Sequence, residues 1–75
     1  MIEITDFAQI QDTSHGGPYD RGGADAWYAR PKNPHKYPNG TYNGREVTDL
    51  TEQELAEYNY GYDTGEYNGK GYDLD

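Results

Sequence analysis

The chain has 75 residues, of which 32% are hydrophobic, and it carries a formal net charge of −8 and no cysteine. A chain of this length forms at most one small domain, and the lack of cysteine excludes disulfides, thiolate metal sites and cysteine nucleophiles. Aliphatic side chains are few, so the core must recruit Trp27 and several tyrosines, which leaves little material for a deep catalytic pocket. We therefore expect a protein that is not an enzyme and that has no cofactor, metal site or catalytic residue.

The charge is distributed unevenly. Five acids and five bases balance in residues 1–45, whereas nine acids face Lys70 alone in residues 46–75. The acidic second half of the chain is expected to repel nucleic acids and membrane phosphates and to attract basic protein surfaces. Alternatively, the acidity serves only to keep a small tyrosine-rich protein soluble. Without an apolar run of membrane-spanning length or a signal peptide, we expect a cytoplasmic protein without a membrane partner.

The first elements are an N-terminal strand or turn and a helix. Ile2 and Ile4 suit a short strand, whereas Phe7 and Ile10 suit one helical turn, and the pattern does not separate the two. Residues 18–28 are predicted to form the first helix, since proline suits its first turn and Pro31 follows its end.

A long irregular stretch with three prolines and two Asn-Gly pairs covers residues 31–45. The Asn-Gly pairs predict tight turns that could bracket a small hairpin around Thr41-Tyr42. This loop carries four of the bases if Arg30 and Arg45 are included, so it is the basic patch of the chain. A loop of this length is often functional, or it is packed by its own tyrosines.

The second helix has the clearest local signature. Thr51 and Glu54 form a capping box, and Leu50 and Leu55 occupy the positions of a hydrophobic staple. The helix is predicted to run toward Glu66 and to end at Gly61 or Gly65. Its predicted apolar face consists of Leu55, Tyr58 and Tyr62.

The predicted fold is mainly α. Two short helices pack as a pair across the long Pro/Gly loop, with a short N-terminal strand or turn and a frayed, acidic C-terminus. Glycines in both helices favour a close approach of their backbones. Residues 1–66 are predicted to form one small domain and residues 67–75 an acidic flexible tail. The predicted core consists of Trp27, Leu50, Leu55, Tyr58 and Tyr62.

Two groups of side chains are candidates for partner binding. One is an acidic face in the second half, which suits a basic protein surface. The other combines arginine, aromatic and basic-loop side chains, a composition typical of binding hot spots; alternatively, its arginines pair with Asp25 or with acids of the second helix. The acidic group is Glu52, Glu54, Glu57, Asp63 and Glu66, and the second group is Tyr19, Arg21, Tyr28, Arg30, His35 and Lys36. His15 and His35 lack metal-site spacing, and we expect His35 to hydrogen-bond within its loop.

Residues 16–30 followed by Pro34-His35 resemble a group of small bacteriophage proteins, and the segments 50–54 and 58–62 complete the pattern. The layout is also remotely similar to the ribosome modulation factor family, through Arg21-Gly22, Arg30 and the element at residues 60–62. That family is basic and binds ribosomal RNA, whereas this chain is acidic, so direct nucleic-acid binding is not expected.

The resemblance implies a phage accessory protein in the cytoplasm of a host bacterium. Together with the charge, it predicts that the chain binds and modulates a host protein with a basic surface. If that surface normally holds DNA or RNA, the chain is expected to mimic nucleic acid and to act as an inhibitor. The alternatives are a ribosome-associated modulator and a minor virion or assembly protein.

Overall fold

The computed structural model describes the backbone of residues 2–40 and 44–73, and the side chains of the same ranges as far as residue 65. Two helices, α1 (Pro18–Trp27) and α2 (Glu52–Asp73), pack against each other, and a 3₁₀ turn (Phe7–Gln9) precedes them. The part of the chain that is described contains no strand, only an isolated antiparallel bridge between Lys36 and Val47. The predicted mainly α fold with a helix pair is confirmed, and its N-terminal element is the 3₁₀ turn.

Helix α1 begins and ends as its sequence predicts, to within one residue. Pro18 occupies the first turn, where its missing N–H is not needed. At the other end, the N–H of Arg30 donates to the carbonyl oxygen of Asp25 at 2.8 Å, and Ala29 has a φ of 58°. This is a Schellman-type C-cap with alanine in the left-handed position that glycine usually occupies.

Helix α2 begins at the predicted capping box. The N–H of Glu54 donates to Thr51 Oγ1 at 3.1 Å, and the N–H of Thr51 donates to Glu54 Oε1 at 2.9 Å. The helix continues to Asp73, so the prediction that Gly61 or Gly65 ends it is wrong.

Residues 67–73 of the predicted tail belong to the backbone of α2. The side chains of residues 66–73 and all of residues 74–75 lie outside the described residues, so the boundary of the domain at residue 66 stays a prediction.

The two helices meet at glycines. A Cβ atom added to Gly22 would lie 2.1 Å from the carbonyl oxygen of Tyr58, and one added to Gly61 would lie 2.3 Å from the carbonyl oxygen of Tyr19. These distances are far below van der Waals contact, so only glycine lets the backbones come this close. The predicted close packing of two glycine-notched helices is confirmed.

The core is smaller and more polar than predicted. Tyr58 is fully buried, and the other buried hydrophobic side chains include Ala26, Tyr37 and Ala56. Charged and polar side chains are buried beside them: Arg21, Asp25, His35 and Glu57. The described core is therefore organised around one tyrosine and an ionic cluster.

Only Tyr58 of the five predicted core residues is fully buried. Leu55 is 41% exposed, so its assignment to the core is wrong. Trp27, Leu50 and Tyr62 are half-buried. On α1, Gly22 and Asp25 are the residues that contact Tyr58 of α2.

The loop between the helices is folded back on itself. Lys36 and Val47 exchange two backbone hydrogen bonds of 2.9 Å, and the N–H of Tyr37 donates to the carbonyl oxygen of Gly16 at 2.7 Å. Gly40 and Gly44 both have positive φ, as the predicted turns require. The proposed hairpin around Thr41-Tyr42 lies outside the described residues.

A buried ionic cluster as the candidate functional site

Helix α1 presents a buried ion pair to the interior. Arg21 and Asp25 lie one helical turn apart and are 4% and 3% exposed, with 3.8 Å between Arg21 Nη2 and Asp25 Oδ1. Side chains four residues apart lie on the same helix face, so the sequence itself brings this pair together. A buried carboxylate requires several partners, and those of Asp25 come from three parts of the chain.

Both carboxylate oxygens of Asp25 accept hydrogen bonds. Arg30 Nη1 donates to Oδ1 at 2.8 Å, and the hydroxyl of Tyr58 donates to Oδ2 at 2.5 Å. Arg30 reaches Asp25 because the C-cap of α1 turns the chain back at Ala29. The cluster therefore connects both helices and the start of the loop through one carboxylate.

Tyr58 links this carboxylate to the loop. Its hydroxyl oxygen accepts the N–H of Asn33 at 2.9 Å while its proton goes to Asp25. Burial, assisted by the negative charge of Asp25, raises the pKa of Tyr58 well above its ordinary value. The hydroxyl is therefore protonated at neutral pH and donates to Asp25.

His35 is held in one tautomer by its two partners. Arg21 Nε, which can only donate, lies 3.0 Å from His35 Nε2, so that nitrogen must accept. The proton is then on Nδ1, which is 2.5 Å from the carbonyl oxygen of Asn33. We infer a neutral imidazole in the loop, and the prediction that His35 hydrogen-bonds within its loop is confirmed.

The cluster forms the floor of a pocket of about 470 Å³. Its buried lining comes from the cluster itself and Tyr37, whereas the remaining residues belong to the surrounding loop. The lining residues are Arg21, Asp25, Arg30, Pro31, Asn33, His35, Tyr37 and Glu46. Both ring nitrogens of His35 in this lining have hydrogen-bond partners.

The structure brings only part of the predicted arginine–aromatic group together. Arg21, Arg30 and His35 meet around Asp25, which confirms the alternative that the arginines pair with this acid. Tyr28 is 63% exposed, and its ring lies 4.8 Å from the Arg30 guanidinium carbon. Arg21 and His35 are each 4% exposed, so their assignment to a partner-binding surface is corrected to a buried role.

Two other members of that group lie elsewhere. Tyr19 stacks on Tyr60 with 6.1 Å between ring centroids and contacts Phe7 edge-on at 5.5 Å. Lys36 donates a hydrogen bond to Glu54 at the start of α2. Neither residue lines the pocket.

The predicted acidic face is dispersed. Glu52 is exposed, whereas Glu54 is paired with Lys36, whose hydrogen bond lowers the pKa of this carboxyl below its ordinary value. Asp63 is exposed and lies 3.4 Å from Lys32 Nζ. The side chain of Glu66 lies outside the described residues.

Glu57 was assigned to the acidic face, and that assignment is wrong because Glu57 is 1% exposed. Its Oε2 accepts the N–H of Gln11 at 2.7 Å and the amide of Gln53 at 2.8 Å, while its Oε1 has no hydrogen-bond partner among the described residues. Gln11 and Glu57 are 46 positions apart in the chain, so the pattern of residues along α2 could not predict that Glu57 is buried.

Sequence reasoning named Asp25 as a possible partner of the arginines, because it lies between two of them at helical or near-helical spacing. It missed three other residues of the site. Asn33 contributes only backbone atoms to the cluster, and Tyr37 and Glu46 reach the pocket through loop contacts, so they carried no signal.

Within the described residues, no group of three or more histidine, aspartate or glutamate side chains is placed to hold a metal ion. No helix in the same part of the chain is long and apolar enough to cross a membrane. No protein-family model matches the sequence, and no curated protein or solved structure is significantly similar to it.

Proposed function

We propose that this chain is a small, acidic, non-enzymatic binding protein that modulates another macromolecule through contact with a basic surface. The observation that supports the proposal is the placement of charge: four basic side chains are paired with acids of the chain itself, while other acids are exposed.

Four of the basic side chains are paired with acids of the chain itself. Arg21 and Arg30 surround Asp25, and Lys36 donates to Glu54. Lys32 is paired with Asp63 at 3.4 Å between Nζ and Oδ1. Contact with nucleic-acid phosphates needs lysine and arginine at the surface, so these pairs oppose direct nucleic-acid binding.

Exposed acids lead into α2. Asp49 and Glu52, which we call the acidic entry, are both exposed, and they lie just before and at the first residue of the helix. Further exposed acids, Glu3 and Asp6, lie in the N-terminal segment. In a chain with a net charge of −8, such positions attract a basic surface and speed its association.

The finer proposal concerns the partner and its source. Following its resemblance to small phage proteins, we propose that the chain acts in the cytoplasm of a host bacterium on a host protein. If the basic surface of that protein normally holds DNA or RNA, the bound acidic entry would act as a nucleic-acid mimic and inhibit it.

Affinity capture tests this proposal. Tagged protein is incubated with nuclease-treated bacterial lysate at low and then at moderate salt, and bound proteins are identified by mass spectrometry. The test variant carries Asp49→Asn and Glu52→Gln. The matched control carries Asp12→Asn and Asp63→Asn, which change the net charge equally at other positions.

We expect one basic protein to be recovered, to be released as salt rises, and to be lost from the test variant but retained by the control. Equal retention by both variants would contradict the acidic entry. Recovery of ribosomal subunits would contradict the proposal and favour the ribosome-associated alternative, and purification of the chain with virions would favour an assembly role.

A further inference from the structure

We propose that three contacting rings, Phe7, Tyr19 and Tyr60, which we call the aromatic ladder, bind an arginine side chain of a basic partner. The inference rests on the proposed function in one respect, that the partner is basic. It goes beyond that function because it names a second contact surface, which shares no residue with the acidic entry, and the side chain that this surface takes.

The aromatic ladder joins three parts of the fold. The rings of Phe7 and Tyr19 meet edge to face with 5.5 Å between their centroids, and those of Tyr19 and Tyr60 stack at 6.1 Å with 27° between their planes. Phe7 belongs to the 3₁₀ turn, Tyr19 to α1 and Tyr60 to α2. Rings that are fixed by separate elements in this way lose little conformational freedom when a partner binds.

The aromatic ladder reaches the surface at Phe7. This ring is 52% exposed, whereas Tyr19 and Tyr60 are half-buried, and Ile2 in the same N-terminal segment is 40% exposed. Aromatic side chains that are partly exposed beside polar residues are enriched where proteins bind one another. The exposed ring of Phe7 is therefore the part of the ladder that a partner meets first.

Tyrosines elsewhere in the fold lie against a cation of the chain itself. The guanidinium carbon of Arg30 lies 4.8 Å from the ring centroid of Tyr28, and Lys32 Nζ lies 5.4 Å from that of Tyr62. Within the described residues, no lysine or arginine lies over a ring of the aromatic ladder. The ladder is thus a surface of the type that attracts cations in this fold, and the cation is left for a partner to supply.

The charge around the aromatic ladder favours a cation as its occupant. Residues 1–20 contain four acids and no lysine or arginine. Glu3 and Asp6, which lie in the same segment as Phe7, are exposed, and neither forms an ion pair with another described residue. A second copy of this acidic chain is repelled here, whereas a cation is attracted both to the carboxylates and to the ring faces.

Arginine fits this surface better than lysine does. A guanidinium group is planar, so it stacks on an aromatic face and still donates hydrogen bonds to a carboxylate. The ammonium group of lysine is a strongly hydrated point charge without such a plane. The acidic entry consists of carboxylates, which attract both cations, so a preference for arginine that disappears with the ring is specific to the ladder.

The experiment compares two labelled peptides of equal length and charge, hexa-arginine and hexa-lysine, by fluorescence anisotropy at low salt. We expect the chain to bind hexa-arginine about two- to fivefold more tightly than hexa-lysine, which is the range of one exposed cation–π contact. Two-dimensional ¹H–¹⁵N NMR of the original chain locates the contact. Hexa-arginine should shift the amide signals of Phe7, Tyr19 and Tyr60 more than hexa-lysine does.

The variants separate the aromatic ladder from the acidic entry. Phe7→Leu removes the exposed ring but keeps an apolar side chain, so the fold is expected to persist, and the ratio of the two affinities should fall to about one. The matched control, Tyr28→Leu, removes an exposed ring that already lies against Arg30 and should leave the ratio unchanged. Asp49→Asn with Glu52→Gln should weaken the binding of both peptides equally. The ratio therefore tests the ladder, and the absolute affinity tests the acidic entry.

Equal affinities for the two peptides, or a preference for arginine that Phe7→Leu retains, would overturn the aromatic ladder and leave the acidic entry intact. If Phe7→Leu does not fold, hexa-arginine shifts that spare the ladder of the original chain would overturn the proposal, and shifts centred on the ladder would support it. A dimer of the original chain that Phe7→Leu dissociates, seen by sedimentation, would overturn it in favour of a second copy. Binding of neither peptide would overturn both this inference and the proposed function.

Discussion

The contact between α1 and α2 predicts opposite effects for the same substitution at two adjacent residues. Gly22→Ala places a Cβ 2.1 Å from the carbonyl oxygen of Tyr58 and 3.0 Å from the backbone nitrogen of Tyr62. Gly23→Ala places a Cβ 3.8 Å from the carbonyl oxygen of Gly61, which is an ordinary contact. Both substitutions remove a glycine from the interior of α1, so they share the gain in helix propensity.

The magnitudes follow from that geometry. Replacing glycine by alanine in a helix stabilises by about 1 kcal/mol. At Gly22 the helices must separate by roughly 1 Å, and overpacking of this kind costs about 1–3 kcal/mol or more. We expect Gly23→Ala to stabilise by about 0.5–1 kcal/mol, and Gly22→Ala to destabilise by about 2 kcal/mol, out of roughly 4–11 kcal/mol for a domain of this length.

Thermal unfolding followed by circular dichroism measures the difference. Since 1 kcal/mol shifts the Tm of a small domain by about 4–8 °C, the two variants should differ by roughly 10–20 °C. A Tm for Gly22→Ala equal to or above that of Gly23→Ala would refute the close backbone contact.

Three further predictions concern the cluster and the helix ends. Tyr58→Phe removes the hydroxyl that donates to Asp25, and it should lower the free energy of unfolding in urea by about 1–3 kcal/mol, whereas no loss would contradict the cluster. Ala29→Gly should raise that free energy by about 0.5–1 kcal/mol, because φ is 58° there; a decrease would exclude the left-handed cap. The pKa of Glu54 is lowered by its hydrogen bond from Lys36, so this carboxyl stabilises the fold above pH 4.5 and loses that contribution as the pH falls through its depressed value. The stability difference between the original chain and Glu54→Gln should therefore shrink on acidification, and a difference independent of pH would contradict the pair.

Local signals in the sequence predicted the parts of the fold that depend on neighbouring residues. The capping box of Thr51 and Glu54 set the start of α2, and Pro18 and Pro31 bracketed α1. Glycines in both helices predicted the close approach of the two backbones, because a residue without a side chain permits such contact in any fold.

The burial of particular side chains depended on contacts distant in sequence. Leu55 was assigned to the core because it is apolar, yet it is exposed, whereas Glu57 is buried and accepts the backbone N–H of Gln11. Trp27 was assigned to the centre by size, although Asp25 occupies it with partners from the loop and α2. Hydrophobicity ranks the residues by type, and it does not show which carboxylates acquire enough donors to be buried.

The most direct test of the central claim compares binding of defined probes by fluorescence anisotropy at low salt. The probes are a labelled lysine-rich peptide, a labelled DNA duplex and a labelled ribosomal RNA fragment. We predict that the chain binds the peptide in a salt-dependent manner, that Asp49→Asn with Glu52→Gln weakens this binding more than Asp12→Asn with Asp63→Asn does, and that neither nucleic acid binds. Binding of the RNA or DNA as tightly as the peptide, or equal effects of the two variants, would contradict an acidic surface that recognises a basic partner.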